Sequence, residues 1–330
     1  MKTKEVLLNL LYFYPADYIS GEVLAEKLGI SRNAVYKHIR ELRKEGYNIY
    51  GCTNRGYALS VLNDVLSPQE LSRFYPIERE KLRIFSTLPS TNTAAKEMAA
   101  CGAPSGTLCI AETQTGGRGR MGRDFFSPRG CGIYMSLILR PKLRPADALL
   151  LTTLAAVAVS ETVEALTGEP AQIKWVNDVF FRGKKVCGIL TEASFNMESG
   201  ALDYAILGIG LNVYAPKGNF PTELQSIAGA VLDTPTPHAR CRIIADILKR
   251  FYFYYDRIEE KAFLEPYRKR MFLTGQVVEV HRGIEHFPAR VLTVQDDFSL
   301  TIQHPDGKEE TLSSGEVSLR FPEQIADAKG

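Results

Sequence analysis

Cysteine is scarce and scattered. Six of the 330 residues are cysteine (52, 101, 109, 131, 187 and 241), and no two stand at Cys-x-x-Cys spacing. That excludes zinc-finger ligation and a disulfide framework as organising devices and fits reduced thiols. Net charge is lacking too, since 40 basic against 38 acidic side chains leave +2. The chain as a whole is therefore not drawn to nucleic acid or an anionic membrane, and any charge-driven partner must meet a local patch. No internal repeat and no low-complexity tract is present. The longest apolar run, around 147–158, contains threonines and is too short to span a bilayer. The N-terminal stretch has a basic start and an apolar run, but Pro15 and Asp17 break it and no small-residue cleavage site follows, which argues against a signal peptide. These absences imply a cytoplasmic protein with no membrane partner. What remains, 45% hydrophobic and 24% charged residues, is ordinary globular composition, and the length implies two or three domains.

Residues 1–62 read as a DNA-binding module. Val6, Leu7, Leu10 and Leu11 fall at helical spacing. Ser20 is placed to cap a second helix that ends at Gly29, and Ser31 to cap a third that runs to about Glu45. Val35, Ile39 and Leu42 line one face of the third helix, while Arg32, Asn33, Tyr36, Lys37, Arg40, Arg43 and Lys44 occupy the other. Two helices about a tight turn, the second with a basic polar face, make a helix-turn-helix. Alternation in Tyr47–Tyr50 and Tyr57–Leu59 about a turn at 53–56 adds the hairpin of a winged helix. The segment holds nine basic against six acidic side chains, a local +3. Candidates for DNA contact are Ser31, Arg32, Asn33, Tyr36, Lys37 and Arg40 on the helix and Arg55 on the wing. A protein-binding winged helix is the alternative reading.

Residues 63–82 contain two prolines and mixed charge and read as a linker with one short helix. From 83 to 270, strand-like segments (Thr107–Glu112, Gly132–Leu139, Gln172–Trp175, Val186–Glu192, Tyr204–Leu211) mix with helices at 91–100, 145–167 and 238–264. The texture changes at about 271. Gln276–His281, Phe287–Val294, Leu300–Gln303, Glu309–Ser314 and Val317–Arg320 are short strands between Gly, Asp and Pro, so 271–330 reads as a small β-barrel. The expected class is α+β.

Chemistry concentrates in four segments. Gly116-Gly117-Arg118-Gly119-Arg120-Met121-Gly122-Arg123 packs arginines and glycines into one loop after a strand. Glycine lets backbone approach a ligand and arginine forks match phosphate or carboxylate; an RNA-binding Arg-Gly segment or plain surface loop is the alternative. Lys174-Trp175-Val176-Asn177-Asp178 carries the single tryptophan beside an amide and a carboxylate at a strand end, although Asn-Asp is also ordinary turn chemistry. Lys185 enters the apolar strand that holds Gly188, where a buried ammonium needs an anion, whereas Lys184 reads as an exposed hairpin residue. Gly208-Ile209-Gly210-Leu211-Asn212 is the weakest of the four.

Taken in order, and with Ser90-Thr91-Asn92 ahead of them, these motifs resemble the biotin–protein ligases, in particular the bifunctional members that double as repressors of the biotin operon. The resemblance covers nearly the whole chain. It implies a winged helix, a central mixed-sheet domain of class II synthetase type and an SH3-like C-terminal barrel. It implies ATP-dependent formation of biotinoyl-5′-AMP and transfer of biotin to a lysine of a biotin carboxyl carrier protein, with Mg²⁺ required. Lys185, Arg118 and Arg120 would be catalytic. Ser90, Thr91, Asn92, Gln114, Gly117, Arg118, Gly119, Arg120, Lys185 and Gly188 would bind biotin. Arg120, Arg123, Phe125, Asn177, Asp178, Lys185 and Asn212 would bind the nucleotide, Phe125 by stacking and Asp178 by orienting the arginine loop. No protein metal ligand is expected. A homodimer carrying the adenylate would grip operator DNA. Val176 stands where the family motif commonly has proline, which is expected to loosen that turn. A non-catalytic biotin-sensing repressor and a lipoate-type ligase are the alternatives.

Overall fold

The computed structural model describes residues 3–14, 16–195, 202–282, 284–313 and 316–319. Two compact units emerge, one of residues 1–79 and 234–245, the other of 80–233 and 246–330.

In the first unit, helices α1 (Thr3–Phe13), α2 (Gly21–Leu28) and α3 (Arg32–Lys44) precede a hairpin of β1 (Ile49–Cys52) and β2 (Gly56–Leu59). The capping serines act as the sequence suggests. Ser20 Oγ accepts from Val23 N at 3.1 Å and Ser31 Oγ from Ala34 N at 3.2 Å, each satisfying an orphan amide at a worth of about 1 kcal/mol. Gly29 ends α2 at φ +63°, a left-handed conformation that suits glycine. Leu7, Leu11, Leu24, Val35, Ile39 and Leu42 form the core.

The expected linker is more ordered than its composition suggests. Ser67 caps a short helix, α4 (Pro68–Ser72), and Asn63, Val65, Leu66, Glu70 and Leu71 are buried. Asp64 holds the backbone N–H and Nε of Arg240 at 2.9 and 3.1 Å, so an ion pair between distant segments closes this stretch. The expected linker also ends in a strand, β3 (Leu82–Phe85).

The second unit is built on a seven-stranded sheet. After β3 come α5 (Thr91–Ala100), β4 (Leu108–Ala111), β5 (Gly132–Leu139), α6 (Leu149–Thr167), β6 (Ala171–Lys174), β7 (Asp178–Phe181), β8 (Lys184–Phe195) and β9 (Leu202–Asn212). Spatial order is β3-β4-β5-β9-β8-β7-β6. Only β3 and β4 run parallel; the other neighbours are antiparallel. The apolar run around 147–158 belongs to α6, whose 19 residues are long and apolar enough to cross a bilayer, but 72% of that stretch is buried inside the protein. It is a core helix.

The expected helix 238–264 is in fact α7 (Ala239–Tyr255), a single 3₁₀ turn at 258–260 and α8 (Leu264–Arg270). Lys261 adopts φ +50°, which a continuing helix does not permit. Phe263 then stacks on Phe298 with ring centroids 5.2 Å apart.

The C-terminal strands β10 (Val277–Arg282), β11 (Glu285–Val294), β12 (Leu300–Gln303), β13 (Glu309–Leu312) and β14 (Glu316–Leu319) form one antiparallel sheet in the order β13-β12-β11-β10-β14. Ser314 and Arg320, expected at strand ends, lie outside the described residues.

Candidate functional site

A cavity of about 300 Å³ opens on the seven-stranded sheet. Its walls come from the start of α5, the arginine loop, the ends of β6 to β9 and the segment around Phe220–Ala228. Of the expected biotin and nucleotide residues, all but Gly117 line it.

One end is a polar cluster. Ser90, Thr91 and Asn92 are buried at the start of α5. Gln114 Oε1 accepts the Thr91 backbone N–H at 2.8 Å, and its Nε2 donates to Ser127 Oγ at 2.9 Å. Asn92 Nδ2 donates to Glu192 Oε2 at 2.8 Å and to Leu190 O at 3.3 Å. Ser136, fully buried on β5, reaches both Thr91 Oγ1 and Asn92 Oδ1. Ser127 and Ser136 lie outside the four motifs, and Glu192, which ends the lysine segment, had no role assigned to it; only the fold brings the three here.

The glycines matter through what stands over them. A Cβ on Gly208 would lie 2.2 Å from Asn92 Oδ1, and one on Gly210 2.6 Å from the Phe125 ring. The weakest motif therefore makes room for two site residues. A Cβ on Gly117 would meet Phe125 O at 2.4 Å, so Gly117 shapes the loop from behind the cavity wall.

The arginine loop is ordered by its own backbone. Gly119 N donates to Arg123 O at 2.7 Å and Phe125 N to Gly117 O at 2.9 Å. Met121 at φ +56° and Gly122 at φ +73° turn the chain. Arg118 and Arg123 are exposed at the rim and Arg120 is half-buried. Arg120 Nη1 donates to Asn177 Oδ1 at 3.1 Å. Phe125 lies across the strands at Gly188 and Gly210, edge-to-face with Tyr134.

Lys185 Nζ sits 2.7 Å from Asp178 Oδ1. The Asp178 carboxylate holds the Lys185 ammonium, and its neighbour Asn177 ties Arg120 of the arginine loop. Asp178 is not in a turn, since it opens β7 opposite Lys174. Asn212 Nδ2 donates to Gly229 O at 3.0 Å. Lys184 is exposed, as expected, and donates to Gln225 O at 2.7 Å. Val176 is buried, and its carbonyl accepts from Tyr267 Oη at 3.3 Å. Trp175 Nε1 donates to Phe298 O at 2.9 Å, which fixes the motif against the C-terminal sheet. Burial pushes the Tyr267 phenol and the Cys187 thiol well above their ordinary values, keeping both neutral.

On the first unit, Ser31, Arg32, Asn33, Tyr36, Lys37, Arg40 and Arg55 are all exposed. Arg55 stacks on the Tyr18 ring at 4.5 Å. Arg43 instead turns its Nε to Ile49 O at 2.9 Å and braces the hairpin.

Fold and site thus define a two-part protein: a winged helix-turn-helix, and a ligand-binding domain whose cavity combines an arginine loop with a lysine–aspartate pair. Residues 4–58 match an HTH domain model, and residues 84–212 match the Biotin/lipoate A/B protein ligase family. The chain belongs to that family. It is 44% identical over 216 residues to the bifunctional ligase/repressor BirA of Bacillus spizizenii, covering 64% of this chain and 66% of that protein's length. It is 31% identical to BirA of Escherichia coli over 64% of this chain and 65% of that one. Among solved structures, the biotin protein ligase from Aquifex aeolicus in complex with biotin and ATP is similar with a TM-score of 0.60 and 29% identity, covering 72% of this chain and 98% of that one. An R40G mutant of that ligase in complex with biotin reaches 30% identity over 97% of its length.

Proposed function

We propose that this protein is an ATP-dependent biotin–protein ligase and a DNA-binding repressor of biotin genes. The observation that carries the reading is convergence: the arginine loop, the Lys185–Asp178 pair and the Thr91/Asn92/Gln114 cluster face one cavity. The family and the bifunctional relatives support it.

Two anions must meet for the first step. A biotin carboxylate oxygen attacks the α-phosphorus of ATP, forming the acyl–phosphate bond of biotinoyl-5′-AMP as pyrophosphate leaves. The ε-amine of a carrier-protein lysine then attacks the acyl carbon, forming an amide as AMP leaves and the amine gives up its proton. Lys185 and Arg120 are placed to offset the repulsion between carboxylate and phosphate, as fixed cations in a partly dry cavity do most effectively. Arg118 and Arg123 close the phosphate side, with Asn177 holding Arg120. Asp178 holds the Lys185 ammonium in place. The buried polar cluster suits biotin's ureido ring, and Phe125, Asn177, Asp178 and Asn212 the nucleotide.

Among the described residues no group of three or more His, Cys, Asp or Glu is arranged to hold a metal. Mg²⁺ would arrive on the nucleotide, held through phosphate oxygens and water with at most one or two carboxylates. Bound there, it offsets triphosphate charge.

On the first unit, the exposed face of α3 would read an operator and Arg55 would touch backbone or minor groove. Low demand for biotin transfer lets the adenylate accumulate, and the liganded protein, as a homodimer in the cytoplasm, represses. The C-terminal sheet is read as an SH3-like barrel that supports the ATP side through Trp175.

The test is incubation with ATP, Mg²⁺, biotin and a biotin carboxyl carrier domain, read by intact mass. One added biotinyl group, lost on Lys185→Ala or Arg118→Ala, is expected. Biotin binding without transfer would replace the enzyme by a biotin-sensing repressor.

A further inference from the structure

Four oxygens stand in a row behind the polar end of the cavity. Gln114 Oε1 lies 3.1 Å from Thr91 Oγ1, Thr91 Oγ1 lies 2.8 Å from Ser136 Oγ, and Ser136 Oγ lies 2.7 Å from Asn92 Oδ1. Three contacts of hydrogen-bond length need three protons, and only the two hydroxyls carry any. Neither end can supply the third. Gln114 Oε1 is fixed inward because it accepts the Thr91 backbone N–H, while its Nε2 faces Ser127. Asn92 Oδ1 is fixed inward because Nδ2 faces two groups that only accept, the Glu192 carboxylate and the Leu190 carbonyl. The row is one proton short.

We propose that Glu192, which does not line the cavity, is a positioning residue for ligand specificity. By holding the Asn92 amide with its oxygen inward, it keeps this row acceptor-rich. The cavity then favours a ring that carries N–H donors, such as a cyclic urea, over one whose ring only accepts. The inference rests on the biotin reading above and names the residue that sets the sign of its ring subsite. Without an acceptor at 192, the longer bond to Leu190 alone restrains Asn92. Its amide can then turn, bring two protons inward and satisfy the row without a ligand. A buried network has this property because every member must find a partner of the right kind.

Calorimetric titration with biotin, and separately with ATP, tests it. Glu192→Ala is expected to weaken biotin on the order of tenfold, the cost of one mispaired buried group, with ATP affinity unchanged. Glu192→Gln keeps an acceptor oxygen and is expected to stay within about twofold of wild type, since its fit to the row is preserved. In a Ser136→Ala background, which cuts the row, Glu192→Ala is expected to add nothing further. Equal biotin affinity in wild type and Glu192→Ala overturns the inference, as does a Glu192→Ala effect that multiplies fully with Ser136→Ala. Loss of ATP binding or of the melting transition in Glu192→Ala assigns the residue a structural role instead and overturns it too. A wild-type protein that binds ATP but no biotin overturns the underlying reading, and the inference falls with it.

Discussion

Arg120 and Asn177, fifty-seven positions apart in sequence, are joined by a 3.1 Å hydrogen bond from Nη1 to Oδ1. Asn177 in turn donates Nδ2 to Ile189 O at 2.9 Å, so the arginine loop is moored to β8 through one amide. Asn177→Ala is expected to lower biotin-dependent AMP formation about tenfold, the loss of one charge-assisted bond. Its melting temperature should stay near wild type. Unchanged turnover would mean that the loop needs no mooring.

Lys185→Ala removes the half-buried cation that pairs with Asp178. A loss of roughly 10²- to 10³-fold in adenylate formation is expected, the range for deleting one preorganised charge at a reacting centre. Single-turnover adenylation with radiolabelled ATP measures it. Lys185→Arg, whose planar fork differs from an ammonium, is not expected to restore it.

Gly208→Ala places a methyl group where Asn92 Oδ1 stands, at 2.2 Å from the ideal Cβ. Asn92 must move, and overpacking of this kind costs about 1–3 kcal/mol. Biotin affinity should fall by the corresponding factor while the winged helix still binds DNA, which titration and gel shift on the same preparation would separate.

On the winged helix, Arg32→Ala and Lys37→Ala should weaken DNA binding, and a lost phosphate contact should reduce the salt slope by about one. Arg43→Ala should act differently. Its Nε supports the hairpin carbonyl of Ile49, so stability should drop by about 1 kcal/mol. Thermal melts and salt-dependent binding distinguish the two behaviours.

Thiol chemistry offers a check on the fold itself. Burial pushes the Cys109 and Cys241 thiols up to about 12, so the thiol form, not the reactive thiolate, dominates at neutral pH. Cys52 and Cys101 are exposed and should take up iodoacetamide first at pH 8. Cys109, Cys187 and Cys241 should be alkylated only after unfolding. Early alkylation of Cys187 would place β8 at the surface.

Much of this was legible in the chain. Capping serines, a glycine stop and an apolar stripe wrote the winged helix in local terms, because every signal lay within one turn of the residue it controlled. The cavity residues were legible where they clustered, as in the arginine loop. What escaped reading depended on register. Ser136 and Glu192 look like any strand residues until β5, β9 and β8 are aligned, and Asp178 looked like a turn residue because the strand it opens is only four residues long. The order of the expected linker has the same origin. Prolines and mixed charge hid Asn63, Asp64 and Glu70, whose packing depends on Arg240 and its neighbours far along the chain.

In the central sheet, β9 stands between β5 and β8, although it is synthesised last of the three. Until residue 212 has been made and threaded into that gap, β5 lacks its neighbour, Gly208 is not under Asn92, and Phe125 has no floor. A nascent or truncated chain that ends after Lys185 but before β9 carries the three loop arginines and the lysine, yet lacks the strand that floors the pocket. The ligand site is thus acquired in one late event rather than grown by degrees, so partial products of this chain are inert toward the small molecule instead of being weak competitors for it.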